Sequence, residues 1–387
     1  MATGAFAVPS MKALCNESEH FEIVCLVATP LKHDKHGLPI ITPARQTAKE
    51  YGIPISEHED INSKEFFDFL YLVRPDLIFV CDFGQILSKQ TLSGAVVGGI
   101  NLHGSLLPKF RGAAPVHWAI LTGEQHTGVS IIHMTPQIDA GPVIAQSPPL
   151  PIAPRETVIE LEERLAQYGA DLVFDVVVQM AKEETVRIIE QLHDRVSKAP
   201  RLKKESGFVP WERSSREIFN HFRAMVPWPR AFTDWHRTHE YGENRLPVRL
   251  ILGKMTPLDD LLQEIIRGES VDEMPVIAPA LQDAKMLNLA KMLTSPTGAM
   301  EQKHTTSQHL LPFASRPAWW RPGLVIHAEG DMLIVAAGEG AVRIEQIQPS
   351  GRKMMSVQDF LHGYPMSQGD MLGNSRRDSK HALDALR

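Results

Sequence analysis

Asn101 and His103 stand two residues apart where an apolar run, Val96 to Leu102, gives way to the broken polar passage Gly-Ser-Leu-Leu-Pro-Lys-Phe-Arg-Gly-Ala-Ala-Pro115. On a continuing strand, residues two apart point the same way, so an amide and an imidazole would face one reacting group. A carboxylate, Asp139, follows the next apolar run, in Gln137-Ile-Asp-Ala-Gly-Pro142. Loops at one edge of neighbouring strands would bring it near His103, a set suited to hydrogen bonding and acid–base work. Taken alone, the same residues also fit a plainer reading: an Asn and a His at a strand end can simply make hydrogen bonds, and Asp139 can cap a turn.

Positioning such a trio requires a sheet. Phe21 to Val27, Asp76 to Cys81, Val96 to Leu102 and Val129 to Met134 read as buried strands. Thr42-Pro43 starts a helix, with Thr as the cap and Pro in the first turn. Thr157 to Lys182 has helical apolar spacing and closes the first domain. This alternation predicts an α/β sheet covered by helices on both faces, whose ligand edge is the carboxyl end of the strands. From Ala231 onward short strands replace that rhythm, at Val248–Leu252, Gly323–His327, Met332–Ala336 and Val342–Ile347, and predict a small β-barrel. One more amphipathic helix is expected over Ser214–Met225, and two others at Leu258–Ile266 and Ala280–Leu293. The expected organisation is a first domain over 1–190, an exposed link over 191–212, a second domain over 213–373 with an insertion near 272–318, and a tail over 374–387.

Composition bounds the function. The 387 residues allow two cores, and 43% hydrophobic with 22% charged residues is ordinary for a soluble protein. A net charge of -6 argues against a uniformly basic nucleic-acid coat but leaves room for a local basic patch. Three cysteines without CxxC spacing indicate neither a disulfide framework nor a thiolate zinc site, and fit a reducing, cytoplasmic compartment. Neither a signal sequence nor a membrane span of about 20 apolar residues is expected.

The passage from Ser105 to His117, with Thr127-Gly-Val-Ser-Ile and Ile138-Asp-Ala-Gly-Pro142, resembles the methionyl-tRNA formyltransferase family. Lys198-Ala-Pro-Arg-Leu202, Arg223-Ala-Met-Val-Pro-Trp-Pro229 and Gln348-Pro-Ser-Gly-Arg-Lys-Met-Met-Ser356 carry the resemblance through nearly the whole chain. It implies a Rossmann-like formyltransferase domain followed by an OB-like barrel. It also implies transfer of the formyl group of 10-formyltetrahydrofolate to the methionyl amine of initiator methionyl-tRNA, without a metal, by a cytoplasmic monomer. Asn101, His103 and Asp139 then match the family's catalytic Asn, His and Asp. Asn101 and a protonated His103 would supply donors to the developing oxyanion, while Asp139 would support His103 and help remove the amine proton.

Further residues follow from the resemblance. Phe83, Gly84, Ile86 and Leu87 match the folate-side loop, and Ser105, Leu106, Leu107, Pro108 and Arg111 fit the same pocket. Arg111 could instead brace the long loop or neutralise Asp139. Arg201, Lys203, Lys204, Arg352 and Lys353 are candidate phosphate contacts, whereas Trp211 and Trp228 read as core or domain-interface residues rather than stacking platforms. The rival readings are formylation of another small amine or nucleotide sugar, and an inactive RNA-binding homologue. Two departures stand out. The family's basic loop is short here, Thr29 to Pro39, with only Lys32 and Lys35 to serve its role. Thr3 to Leu14 resembles the family's first loop and helix, yet only Met1 and Ala2 precede it, so the first central strand is expected to be missing from this chain. An upstream start of translation is the favoured account; an unusual replacement for the strand is the other.

Overall fold

A computed structural model describes residues 1–16, 19–184, 186–236, 247–258 and 320–373. The expected helix at 280–293, all but Leu258 of the one at 258–266, the insertion near 272–318 and the tail at 374–387 lie outside the described residues. Contacts divide the chain into two compact units between Leu202 and Lys203. Among the described residues no helix is long and apolar enough to cross a membrane.

The first unit contains α1 (Val8–Asn16), β1 (Leu26–Ala28), α2 (Pro43–Glu50), β2 (Ile55–Glu57), α3 (Lys64–Val73), β3 (Ile78–Cys81), α4 (Lys89–Leu92), β4 (Gly99–His103), α5 (Pro115–Leu121), β5 (His126–Thr127), β6 (Ser130–His133), β7 (Val143–Gln146), β8 (Leu150–Pro151) and α6 (Val158–Ala181). One sheet has the order β3-β4-β6-β7, with β3 parallel to β4 and the next two pairs antiparallel. Alternation of side chains sends the two faces of this sheet to different helices. Ile78 and Val80 pack with Phe66 and Leu70 of α3, while Leu102 meets Gly169 of α6. The long α6 begins where expected: the Thr157 hydroxyl accepts the Glu160 N–H and the Glu160 side chain returns to the Thr157 N–H. At α2 Thr42 has the extended backbone of a cap, but its side chain makes no capping bond.

β1 and β2 form a separate parallel pair. The strand expected from Phe21 is therefore ordered as a ladder only over Leu26–Ala28, where β2 supplies a partner. An isolated bridge, also parallel, joins Ala2 to β3 at Cys81.

The second unit contains α7 (Ser215–Ala224), β9 (Phe232–His236), β10 (Val248–Pro257), β11 (Val325–Glu329), β12 (Met332–Ala336), β13 (Ala341–Pro349), β14 (Met355–Ser356), α8 (Val357–Gly363) and β15 (Met371–Leu372). Its strands run in the order β11-β12-β13-β10-β9-β15, all antiparallel. A bridge between Leu324 and Met371 joins the first strand of that order to the last, so the sheet closes on itself as a barrel. The expected barrel is thus present, filled by Trp235 and Phe360, whose rings meet edge to face at 6.0 Å.

Candidate active site

β4 ends at His103, and Gly104 begins a loop that crosses the carboxyl edge of the sheet before α5. Asn101 is half-buried and His103 buried, at 5% exposure. They converge on Asp139, which lies beyond β6 in a left-handed backbone conformation (φ 49°) that Asp tolerates better than most residues. The Asn101 side-chain amide donates to Asp139 Oδ1 over 3.4 Å, and His103 Nδ1 stands 3.6 Å from Asp139 Oδ2. Both contacts are longer than optimal hydrogen bonds. The other imidazole nitrogen is committed: Nε2 lies 2.9 Å from the Phe110 carbonyl, which can only accept, so Nε2 carries a proton. Nδ1 is then the nitrogen that faces the carboxylate.

Asp139 is held from elsewhere. The Gly112 N–H donates to its Oδ2 over 2.8 Å. Gly112 has φ 129°, and a Cβ there would stand 2.5 Å from the Ala199 carbonyl oxygen, so glycine is needed for both reasons. The stretch that Ala199 belongs to is not loose. Ala199 is fully buried, and its N–H donates to the Arg111 carbonyl while its own carbonyl accepts the Ala114 N–H. The link expected to be exposed over 191–212 is thus, around Ala199, a packed wall of the site.

Gln191 escaped the sequence reading. It is buried, its amide donates to the carbonyls of Asp139 (2.8 Å) and Gly141 (2.7 Å), and its Oε1 accepts two N–H groups of Arg111, at 3.0 and 2.8 Å. Arg111 therefore braces the loop through Gln191. A glutamine in a loop, outside any motif, gives no signal by itself; the pairing spans 52 residues of chain.

The remaining candidates separate. Ser105 is fully buried and donates to the Lys109 carbonyl, and Leu107 packs with Ile132 and Val143, so both shape the loop from beneath. Leu106 is half-buried beside Gly128, and the Pro108 carbonyl accepts the Ser197 N–H. Ile86 is 58% exposed and Gly84 has open space around it, whereas Leu87 is 1% exposed inside the core that packs on α3. Leu87 thus sits within that core rather than at the open flank beside Ile86, and Phe83 packs partly against the same core. Lys32, Lys35 and Arg201 are exposed on the first unit; Lys203, Lys204, Arg352 and Lys353 are exposed on the second. Trp211 is buried, as expected, but Trp228 is 54% exposed and is no core residue of its unit.

A second titratable set is formed by His117 of α5, Glu162 of α6 and Asp82 after β3. Burial, then the charge of Asp82, pushes the Glu162 carboxyl up to about 7. Burial pushes the His117 imidazole down to about 4, with Nδ1 3.6 Å from Glu162 Oε1. Asp82 is itself raised by burial, against the pull of the Gly4 N–H.

Comparison with known proteins agrees with this architecture. Residues 1–177 match the family described as formyl transferase, and residues 201–261 and 270–365 match its C-terminal domain. The chain is 35% identical over 380 residues to the methionyl-tRNA formyltransferase of Rhodopirellula baltica, covering 96% of this chain and 95% of that protein. The corresponding protein of Moorella thermoacetica is 31% identical over 376 residues, covering 96% and 98%. That of Bacillus subtilis is 28% identical over a similar span. Near-complete coverage in both directions, across both units, shows that the chain belongs to the methionyl-tRNA formyltransferase family.

Proposed function

We propose that this chain transfers the formyl group of 10-formyltetrahydrofolate to the methionyl amine of initiator methionyl-tRNA, and does so as a cytoplasmic monomer. The observation that carries the reading is the match to proteins of that activity over both units, combined with convergence of Asn101, His103 and Asp139 at one strand edge. The residues present fit the donor: the exposed Ile86 and the open flank of Gly84 follow β3, at the same sheet edge as Asn101. When bound, the donor supplies a formyl carbon activated for attack by an amine.

Transfer forms a bond from the amine nitrogen to the formyl carbon and breaks the bond from that carbon to the donor nitrogen. One proton leaves the amine and one arrives on the donor nitrogen. In this reading Asn101 offers an amide N–H to the formyl oxygen as negative charge develops there, and His103, its Nε2–H held by the Phe110 carbonyl, adds positive charge beside it in its protonated form. The amine proton leaves to the Asp139 carboxylate, which His103 supports through Nδ1, and that proton is the one returned to the donor nitrogen. Gly112 and Gln191 keep Asp139 from turning away. For the acceptor, the exposed basic residues Lys32, Lys35, Arg201, Lys203, Lys204, Arg352 and Lys353 are assigned to phosphates, which position an RNA without reading its bases.

Incubation of the protein and donor with charged initiator tRNA, beside nucleotide sugars and small amines, tests the assignment. Formylmethionyl-tRNA is the expected product. Formylation of a small amine with no reaction on the charged tRNA would reject it.

A further inference from the structure

Tryptophan gains much from burial, and its indole N–H then takes a hydrogen-bond partner. Trp118, Trp211, Trp235 and Trp320 follow that rule: each indole N–H donates over 2.9 Å, to the Pro200 carbonyl, Thr233 Oγ1, Asp370 Oδ2 and the Ala337 carbonyl in turn. Trp228 does not. It is 54% exposed, and among the described residues its indole makes neither a hydrogen bond nor a ring contact. Pro227 beside it is exposed too. A single apolar side chain at a surface is ordinary, so what surrounds Trp228 decides its meaning.

Trp228 stands in the turn between α7 and β9, which the Arg230 N–H closes by donating to the Met225 carbonyl over 2.8 Å. On one side, Gly207 packs against the Arg230 carbonyl. Gly207 ends the 3₁₀ turn over Lys204–Gly207, so the exposed Lys203 and Lys204 are brought up to the Trp228 turn. On the other side runs β10. The Leu252 N–H donates to the Ala231 carbonyl, and the next residue, Gly253, packs against the Met354 sulfur. Met354 directly follows the exposed Arg352 and Lys353. Arg249 strengthens that side, its guanidinium 4.5 Å over the Phe232 ring and its carbonyl accepting the Ser350 N–H. Of the carboxylates nearby, Asp234 is already paired with Arg249 over 3.3 Å and Glu345 with Lys254 over 2.7 Å. Two cationic segments of one unit thus flank the turn, and a polyanion following both would cross the open indole.

We propose that Trp228 is a base-stacking platform, on which an unpaired nucleotide of the bound RNA lays its ring while the cations on either side hold its phosphates. Single strands are bound in this way in general, by a charged track for the backbone combined with aromatic faces for the bases. An indole accepts any base, so the contact is tolerant of sequence. It does distinguish strandedness, because bases inside a duplex are already stacked on their neighbours. The inference rests on RNA as the acceptor and goes beyond it, by adding an uncharged contact to an RNA otherwise held through its phosphates.

The test titrates initiator tRNA onto the full chain at several salt concentrations, for wild type, Trp228→Leu, Trp228→Ala and Trp228→Phe. Leucine keeps apolar bulk without a π face, whereas phenylalanine keeps the face. Trp228→Leu and Trp228→Ala are expected to weaken binding by roughly 5- to 100-fold, the loss of one stacked base, and Trp228→Phe by less than either. Because the lost contact is uncharged, the log–log slope against salt should stay at the wild-type value in all three. Donor binding should be unchanged. If Trp228→Ala melts lower than wild type, the comparison of Leu with Phe decides. Equal affinity in wild type and Trp228→Leu overturns the proposal and leaves the tRNA acceptor standing. Affinity that falls as far in Trp228→Phe as in Trp228→Leu overturns it as well, since a retained π face should then have helped. A wild type that binds no tRNA overturns both readings. Self-association of wild type that Trp228→Leu abolishes assigns the indole to a second copy and also overturns the proposal.

Discussion

At the scale of single residues, the site is a set of polar groups that would drift apart without partners outside the trio. Asp139 makes long contacts to Asn101 and His103 but a short one to Gly112, and its own carbonyl is tied by Gln191. Removing the Gln191 amide leaves two carbonyls and the Arg111 guanidinium without a buried partner, and unmet buried groups cost about 1–3 kcal/mol each. Displacing a catalytic group by about 1 Å can cost on the order of 100-fold in rate. Gln191→Ala is therefore expected to lower kcat by roughly 10- to 100-fold while leaving KM for the charged tRNA nearly unchanged. Gln191→Glu keeps the acceptor for Arg111 but loses both donors, so it should be nearly as slow. Steady-state kinetics on the two variants checks this, and wild-type kcat in both would remove Gln191 from the positioning role.

At the scale of elements, the loop between β4 and α5 holds its shape because a glycine lies against another backbone. In Gly112→Ala, the added methyl meets the Ala199 carbonyl at a residue whose φ of 129° already disfavours a side chain. A loss of roughly 1–3 kcal/mol in stability is expected, with a fall in turnover as the N–H moves off Asp139. Denaturant titration and a turnover assay read the two effects. Much at this scale was legible in the sequence. The α6 helix, the α7 helix over Ser215–Ala224 and the four later strands announce themselves through their apolar spacing. Asn101 and His103 were readable because period-two alternation on β4 aims both at one place. Other features arise from contacts between distant segments. Leu87 looks like any aliphatic in a loop until α3 is packed over it, and Gln191 has no local signature at all. The antiparallel direction of β6 against β4 is likewise set by how the chain returns, not by the apolar run itself.

At the scale of the whole molecule, the sequence's net charge of -6 and its proposed RNA acceptor are reconciled by local clusters of basic side chains. Lys203 and Lys204 are exposed and adjacent at the start of the second unit. If they contact phosphates, each contact releases condensed counterions, so Lys203→Ala with Lys204→Ala should weaken tRNA binding and flatten its dependence on salt by up to about two in log–log slope. Donor binding should be untouched. Titrations at several salt concentrations decide it, and an unchanged slope would return both lysines to the solvated surface.

The central claim, that formyl transfer occurs where Asn101, His103 and Asp139 meet, is tested most directly by single-turnover formylation of charged initiator tRNA. Wild type, His103→Ala and Asp139→Ala are compared at saturating donor and acceptor, so that binding no longer limits the rate. Groups that act on charge developing during transfer affect the chemical step itself, and losing one donor of this kind costs on the order of 100- to 1,000-fold. The account predicts a fall of at least about 100-fold in the single-turnover rate for both variants, with donor and tRNA binding close to wild type. A near-wild-type rate in both would contradict it.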